Sequence, residues 1–459
     1  MDNEYSGYGR DDVNDINNMN DGDQQVHSAA GNDRGHGGAT ASDDALPEDH
    51  RLLDEYNDVH MHVFGTPLRV LDHGQGVHVW DVDGNEYLDF LAGIAVNSIG
   101  YAHPKWIEAV AAQAAQVAHV SNYFATRPQI HLAQKLIALA GAPEGSHVYF
   151  GNSGAEANEA ALKMAKLYGA QRCAELGTDK PYRIIALTHG FHGRTMGALS
   201  ATWKPAIREP FEPLVPNIEF VEANDIDAMK AAFDATGKGP ISAVIMELIQ
   251  GEAGVLPLDA QYIRDVRALC DEHRALMIVD EVQTGIGRTG SWFAFQREDL
   301  GGVTPNIVTF AKGVAGGFPM GGMISFGEGL SSLFSPGTHG STFAGNPLAA
   351  AAALATIGVI EDEGLVQRAE VRGEQLRTDL RATDNPLFAQ VRGRGLLNAI
   401  VLKRPCAHAA VDWALEHGLI INACAPDVIR LAPPLIVSEQ DVNEAVAILA
   451  MLPEDLPKD

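Results

Sequence analysis

The chain has 459 residues, enough for two domains with cores of their own. Its composition, 46% hydrophobic and 20% charged, is that of a soluble globular protein. A formal net charge of −27 repels phosphate backbones and anionic lipid, so neither nucleic acid nor a membrane surface is an expected partner.

The first 45 residues stand apart. Residues 1–50 carry twelve acids and two bases and hardly any large apolar side chain, which predicts a disordered acidic tail. Setting its −10 aside leaves about −17 for the remainder, so the acidic character does not depend on the tail. No basic start with an apolar core marks a secretory signal, and no apolar run reaches the roughly 18 residues of a membrane helix. Order is expected from about Leu52. VHVWDVDGNEYLDF (Val77 to Phe90) alternates apolar and polar residues around Asp83-Gly84 and predicts a hairpin.

From Pro104 helix and strand patterns alternate. HPKWIEAVAAQAAQVAH predicts a helix, HVYFGN a strand and AEANEAALKMAKLYG a helix; YRIIAL, AVIMEL, LMIVDE and NIVTFA predict further buried strands. That rhythm indicates an α/β fold with a mostly parallel sheet covered on both faces. NPLAAAAALATI is a Pro-initiated helix, and from about residue 350 the pattern changes to a smaller α+β unit containing FAQVRGRGLLNAIVL and VIRLAPPLIV. Cys173, Cys270, Cys406 and Cys424 are scattered, without a CxxC pair or a Cys/His cluster. They predict reduced, buried thiols in a cytoplasmic protein, with neither a disulfide framework nor a metal site.

Four stretches carry chemistry. YFGNSGAEANEAALKMAKL (Tyr149 to Leu167) ends a strand in a small-residue turn that opens a helix, an arrangement that serves either as an ordinary connection or as a phosphate seat. It is not a P-loop: GxxxxGK[ST] is absent, and TGKGP lacks the upstream glycine. THGFHGRTMGALS (Thr188 to Ser200) sets Phe191 and Arg194 among glycines. Its HxxH spacing lacks a third ligand, so His189 and His192 read as satisfied loop histidines. Phe191 is a core plug or a stacking platform, and Arg194 a surface charge or a carboxylate clamp. LMIVDEVQTGIGRTG places Asp280 and Glu281 at the mouth of a buried strand, a costly position unless a positive charge requires one of them. In PNIVTFAKGVAGGFPMGG, Lys312 follows a strand and precedes a Gly-rich loop. It is either a snorkelling lysine or one whose pKa burial lowers, leaving a neutral amine able to condense with a carbonyl. Together these features match one cofactor, pyridoxal 5'-phosphate, whose protonated pyridine nitrogen is the charge that Asp280 awaits.

Eight ordered motifs carry a resemblance: VSNYFATRP, NSGAEANEAALK, FHGRTMGALSAT, IQGEAGV, VDEVQTGIGRTG, AKGVAGGFP, HGSTFAGNPLA and NACAPDVIRLAPPL. From about Leu52 to Ala450 the chain resembles the class III, fold type I aminotransferases. Leu248 departs from the proline usual in EPIQGE, and the tail is an addition; neither removes a functional group. The resemblance implies a large cofactor-binding domain over 101–345 with a mostly parallel seven-stranded sheet. It also implies a smaller α+β domain over 346–459, joined by an N-terminal segment, 46–100. It makes Lys312 the residue that joins the cofactor covalently and moves the substrate proton, and Asp280 the partner of the pyridine nitrogen. Glu281 and Val282 belong to the same cofactor-binding stretch, and Gln283 bonds the ring's 3-oxygen. Phe191 stacks on the ring, the amides of Gly154 and Ala155 hold the phosphate, and Thr342 reaches it from a partner subunit, which implies a homodimer.

FHGRTMG and NACAPDVIRLAPPL point within the class to members taking N-acetylornithine and 2-oxoglutarate. Arg194 and Ser341 then bind the donor, Arg430 binds the carboxylate beside the reacting carbon, and Glu252 pairs with Arg430 while the donor is present. Such enzymes serve arginine biosynthesis. Ornithine, 4-aminobutyrate and succinyl-diaminopimelate are alternative donors, to be told apart by the wall around Asn122, Tyr123 and Phe124. A non-catalytic binding protein on this fold would lack Lys312 or Asp280, and a decarboxylase or aminomutase would not need the Glu252 and Arg430 pair.

Overall fold

The computed structural model describes residues 47–235 and 237–459. The expected acidic tail lies outside the described residues. Pro47–Asp459 form one compact unit. Its helix Glu48–Val59 starts ahead of Leu52, where order was expected. Asp49 explains the earlier start: its buried carboxylate accepts the Val70 N–H, and the Glu48 N–H donates to Asp83.

The predicted hairpin forms as β2 (His78–Asp81) and β3 (Glu86–Asp89), turning at Asp83-Gly84. With β1 (Leu71–Gln75) it makes a sheet whose fourth strand is contributed by the C-terminal part of the chain. After the Pro-initiated helix Pro104–Gln116 the central elements follow in order. They are β4 (His147–Gly151), β5 (Arg183–Leu187), β6 (Ile218–Val221) and β7 (Ile241–Met246). A short ribbon of β8 (Ile249–Gln250) and β9 (Leu256–Pro257) comes next, then β10 (Leu276–Asp280), β11 (Ile307–Phe310) and β12 (Gly321–Ser325). The sheet order is β4-β12-β11-β10-β7-β5-β6. Every pairing is parallel except those of β12, which runs antiparallel to β4 and β11. β5, β7, β10 and β11 are buried along their whole length, as continuous apolar strands covered on both faces must be.

Two of the seven strands, β6 and β12, were not anticipated from local pattern. GGMIS opens with two glycines and reads as loop, yet pairing on both edges makes it a strand. The helix Gly154–Leu176 crosses the sheet with Ala157, Ala160, Ala161 and Ala165 buried, small residues that let it pack close. Ser153 caps it by accepting the Glu156 N–H, and Gly177 ends it in the left-handed region.

The C-terminal part supplies β13 (Phe388–Arg394), β14 (Leu397–Leu402), β15 (Leu419–Ile420), β16 (Asn422–Ala425) and β17 (Val428–Leu431). β13-β14-β17-β16 form an antiparallel sheet, with helices Leu365–Ala382 and Ala407–Glu416 packed on its strands. β15 pairs parallel with β3 and completes the N-terminal sheet. All four cysteines are free; Cys270 and Cys406 are buried as expected, whereas Cys173 and Cys424 are only partly so. No helix among the described residues is long and apolar enough to cross a membrane.

Candidate active site

The carboxyl ends of the parallel strands open onto a cavity of about 490 Å³. This is where open α/β sheets place their ligands, because each strand there hands over to a loop. Gly154, Ala155, Phe191, Arg194, Glu252, Asp280, Val282, Gln283 and Lys312 all line it, so one space gathers residues scattered over the sequence.

Lys312 stands two residues past the end of β11, with a left-handed φ of 47°. Support for its loop comes from far away: Ser98 Oγ donates to Gly313 O (2.7 Å) and Trp106 Nε1 to Ala315 O (3.0 Å). Burial holds the Lys312 amine below its ordinary pKa; Glu252 opposes this shift, Arg430 adds to it, and Asp280 and Glu247 oppose it more weakly. A depressed lysine is the condition for a nucleophilic amine at neutral pH.

Asp280 ends β10 and is 3% exposed. Its Oδ2 accepts from Asn158 Nδ2 (2.8 Å) and faces His192 Nδ1 (2.8 Å), while Oδ1 accepts the Val282 N–H (3.0 Å). Behind it, Thr309 Oγ1 donates to Asn158 Oδ1 (2.9 Å), so a buried chain of donors fixes the carboxylate. His192 is therefore not a satisfied loop histidine. Burial alone would lower its pKa, but the hydrogen bond and charge of Asp280 outweigh burial and raise it; Nε2 has no partner. His189 is exposed, with its ring edge-on to Trp203.

Glu247 also lines the cavity and was not singled out from the sequence. It sits just past β7, and its carboxylate accepts the Phe191 N–H (2.8 Å) and the Gly251 N–H (3.1 Å). Burial pushes its carboxyl up to about 7, with His192 pulling it down and Asp280 pushing it further up. The signal that exposed Asp280, an acid at the end of a buried strand, was present for Glu247 as well in AVIMEL.

Gly154 opens the long helix, whose first amides have no intrahelical partner. A side chain there would put Cβ 2.7 Å from Val282 Cγ1, so the backbone approaches the β10 loop only because residue 154 is glycine. Glu281 does not line the cavity. It points into the core, accepting from Thr284 Oγ1 (2.5 Å) and the Phe295 N–H (2.8 Å), and burial raises its carboxyl to about 7.

Arg430, on β17, is 1% exposed. Its Nη1 donates to Glu252 Oε1 (2.5 Å) and Gln283 Oε1 (3.2 Å), and Nη2 to Asn422 Oδ1 (2.7 Å). Gln283 Nε2 in turn donates to Glu252 (3.4 Å). Burial opposes ionisation of Glu252, but Arg430 outweighs it and holds the carboxyl below its usual pKa. Arg194 is exposed at the cavity, its guanidinium 5.8 Å from the centre of the Phe191 ring. Ser341 and Thr342 do not line the cavity of their own chain. Ser341 Oγ accepts from Asn152 Nδ2 (3.1 Å), a lining residue, and Thr342 is exposed. Asn122, Tyr123 and Phe124 are exposed too, with Asn122 Nδ2 donating to Ser341 O (3.0 Å).

The family profile described as Aminotransferase class-III matches residues 61–452. An acetylornithine aminotransferase from Bifidobacterium longum is 70% identical over 420 residues, covering 90% of this chain and 97% of that protein. Another from Mycobacterium tuberculosis is 47% identical over 391 residues, covering 85% and 93%. Among solved structures, an acetylornithine aminotransferase from Elizabethkingia anophelis superposes with a TM-score of 0.75 at 34% identity, covering 87% of this chain and 97% of that one. The ornithine aminotransferase from Toxoplasma gondii gives a TM-score of 0.81 at 31% identity, covering 87% and 94%.

Pyridoxal phosphate, the cofactor of this class, fits the residues present. The cavity offers a depressed amine at Lys312, an anion seat at the Gly154 and Ala155 amides of a helix start kept open by Gly154, an anchored carboxylate at Asp280 and an aromatic face at Phe191. Its anchored carboxylate and buried amine at the strand ends, together with the match over most of its length, show that this chain belongs to the class III aminotransferases, enzymes of fold type I.

Proposed function

We propose that the protein transfers the δ-amino group of N2-acetyl-L-ornithine to 2-oxoglutarate, giving N-acetyl-L-glutamate 5-semialdehyde and L-glutamate, a step of arginine biosynthesis. The observation that carries this reading is the buried Arg430 masked by Glu252, with a second arginine, Arg194, exposed at the cavity. The 70% identity to a protein of that name supports it.

Bound pyridoxal phosphate supplies a carbonyl to receive the donor's amine and a protonated ring to take up the electrons of a broken C–H bond. The protein's own groups do the rest. Lys312 would hold the cofactor covalently between turnovers and carry the proton to and from the substrate carbon. Asp280, fixed by Asn158 and His192, would keep the pyridine nitrogen protonated. The Gly154 and Ala155 amides would hold the phosphate, Phe191 and Val282 would flank the ring, and Gln283 would bond the 3-oxygen. Glu281 supports the same strand end from the core side.

The donor brings a terminal amine whose carboxylate is distant; glutamate and 2-oxoglutarate have a carboxylate beside the reacting carbon. Arg194, with Ser341, takes the distant carboxylate. Arg430 takes the near one and, while the donor is bound, Glu252 neutralises a charge that would otherwise stand unpaired. The enzyme is a cytoplasmic homodimer in this reading, with Thr342 of one subunit completing the phosphate site of the other. Exposed Tyr123, Phe124 and Phe343 favour a covered face. Residues 101–345 form the large domain, and 46–100 together with 346–459 the small one.

Measuring glutamate formed from 2-oxoglutarate with each of four donors tests the assignment. The expected result is the highest kcat/KM with N-acetylornithine. A higher value with ornithine, 4-aminobutyrate or succinyl-diaminopimelate would reassign the donor, and none with any donor would overturn the transaminase reading.

A further inference from the structure

Two arginines of the small sheet stand in a single cross-strand row. Arg392 on β13 opposes Ala399 on β14, Ala399 opposes Arg430 on β17, and Arg430 opposes Asn422 on β16. Residues directly opposed across antiparallel strands share a face, so both guanidinium groups rise from the same side, two strand spacings or roughly 10 Å apart at the backbone. Between them in this row stands the small Ala399.

Across this row runs the turn Gly251–Gly254, closed by the Gly254 and Val255 N–H groups donating to Gly251 O (3.3 Å each). Each arginine grips the turn at a different point. Arg430 holds the Glu252 carboxylate, and Arg392 directs Nε (3.0 Å) and Nη2 (2.7 Å) onto the Gly254 carbonyl. Gly254 has φ +110°, and a Cβ there would lie 3.0 Å from Arg392 Nη2 and 3.4 Å from Val428. The residue must be glycine for the turn to form and for the guanidinium to come this close.

Arg392 has no carboxylate within salt-bridge distance among the described residues; its remaining hydrogen bond goes to Gln390 Oε1 (3.4 Å). Its donors are therefore spent on a backbone carbonyl two residues from Glu252. A carbonyl held by two N–H groups of one cation is a strong, oriented clamp.

We propose that Arg392 is a positioning residue for the Glu252–Arg430 pair: it fixes the backbone of the Gly251–Gly254 turn on the small sheet, so that only the Glu252 side chain moves when Arg430 changes partners. This deepens the reading in which Glu252 masks Arg430 while the ω-amine donor is bound, and rests on it. Without the clamp the whole turn drifts, Glu252 leaves Arg430 more often, and a carboxylate beside the reacting carbon gains access.

The test compares Arg392→Gln, Arg392→Lys and Glu252→Ala holoenzymes with wild type. Two quantities are read: the ratio of kcat/KM for N-acetylornithine to that for glutamate, and the Kd of glutarate, which cannot transaminate, by calorimetry. Arg392→Gln is expected to lower the ratio about tenfold, the scale of one hydrogen bond from a charged donor, and to tighten glutarate. Arg392→Lys, which keeps a charged donor within reach of the carbonyl, restores most of the ratio. Equal losses with both substrates, or an unchanged ratio and Kd, while Glu252→Ala shifts the ratio, would overturn the role of Arg392 and leave the masking of Arg430 standing. An unchanged ratio in Glu252→Ala would remove the masking and the clamp together. Should Arg392→Gln be insoluble, Arg392→Lys carries the same comparison through a smaller shift in the same direction.

Discussion

At the scale of single residues, two adjacent acids have opposite fates. Asp280 faces the cavity and is anchored by Asn158 and His192, while Glu281 turns into the core against Thr284 and the Phe295 N–H. Burial, only partly offset by those hydrogen bonds, raises the Glu281 carboxyl from 4.5 to about 7. A carboxyl raised in the folded state contributes stability that is whole below its unfolded pKa and lost as pH rises through the folded one, here between about 4.5 and about 7. The loss is at most roughly 3 kcal/mol. Glu281→Gln removes it, so the Tm of the variant, lower than wild type at pH 5, should draw level with it or pass it by pH 8. Parallel Tm profiles from pH 5 to 8 would mean that Glu281 does not titrate in this window. The partners that fix Asp280 were beyond sequence reasoning: Asn158 and His192 lie 122 and 88 residues from it. No local pattern joins residues so distant. Glu247 was within reach, because it ends a buried strand as Asp280 does.

At the scale of elements, the strand-to-helix turn after β4 shows how much one contact can matter. The first turn of helix Gly154–Leu176 meets the β10 loop at Val282, with no room for a Cβ at residue 154. Gly154→Ala should therefore push the helix start away from Val282. Overpacking of this kind costs typically 1–3 kcal/mol, so cofactor affinity should fall about tenfold or more in a fluorescence titration. Val282→Ala in the same chain should restore most of that affinity by clearing the clash. If the double variant binds no better than Gly154→Ala, the loss has another origin. The turn was legible as an anion seat from its small residues, but the neighbour that makes glycine necessary was not. Five strands of the central sheet were legible because they are short apolar runs bounded by breakers. β6 and β12 were not: β12 begins with two glycines and owes its strand conformation to β4 and β11 on either side.

At the scale of the whole molecule, described segments far apart in the chain are interlocked. β15, from the C-terminal part, pairs with β3 from the N-terminal hairpin, and Ser98 and Trp106 brace the Lys312 loop. Thr342 stays exposed on its own chain and outside its own cavity. Its proposed role across a subunit boundary makes a measurable difference in mixed dimers. Thr342→Ala homodimers should retain cofactor about tenfold less tightly, the scale of a lost hydrogen bond to a charged group. In mixed dimers of Lys312→Ala with Thr342→Ala, the site that keeps Lys312 should regain wild-type retention, since its Thr342 comes from the other subunit. Weak retention at that site would place Thr342 in its own chain's cavity, and a monomer in sedimentation would remove the shared site altogether.

Amino-acid order alone determined the alternating α/β architecture, the hairpin at Asp83-Gly84, the lysine after one strand and the acid after another. Each of these rests on neighbours a few residues apart, where periodicity, turn chemistry and the cost of burying charge act locally. Tertiary structure alone decided that Glu281 turns away from the cavity, that His192 and Asn158 hold Asp280, and that Arg392 closes on the Gly254 carbonyl 138 residues away. Those outcomes depend on which strands become neighbours in the sheets. That choice is made by burial summed over the whole core, and no short stretch of the chain contains it.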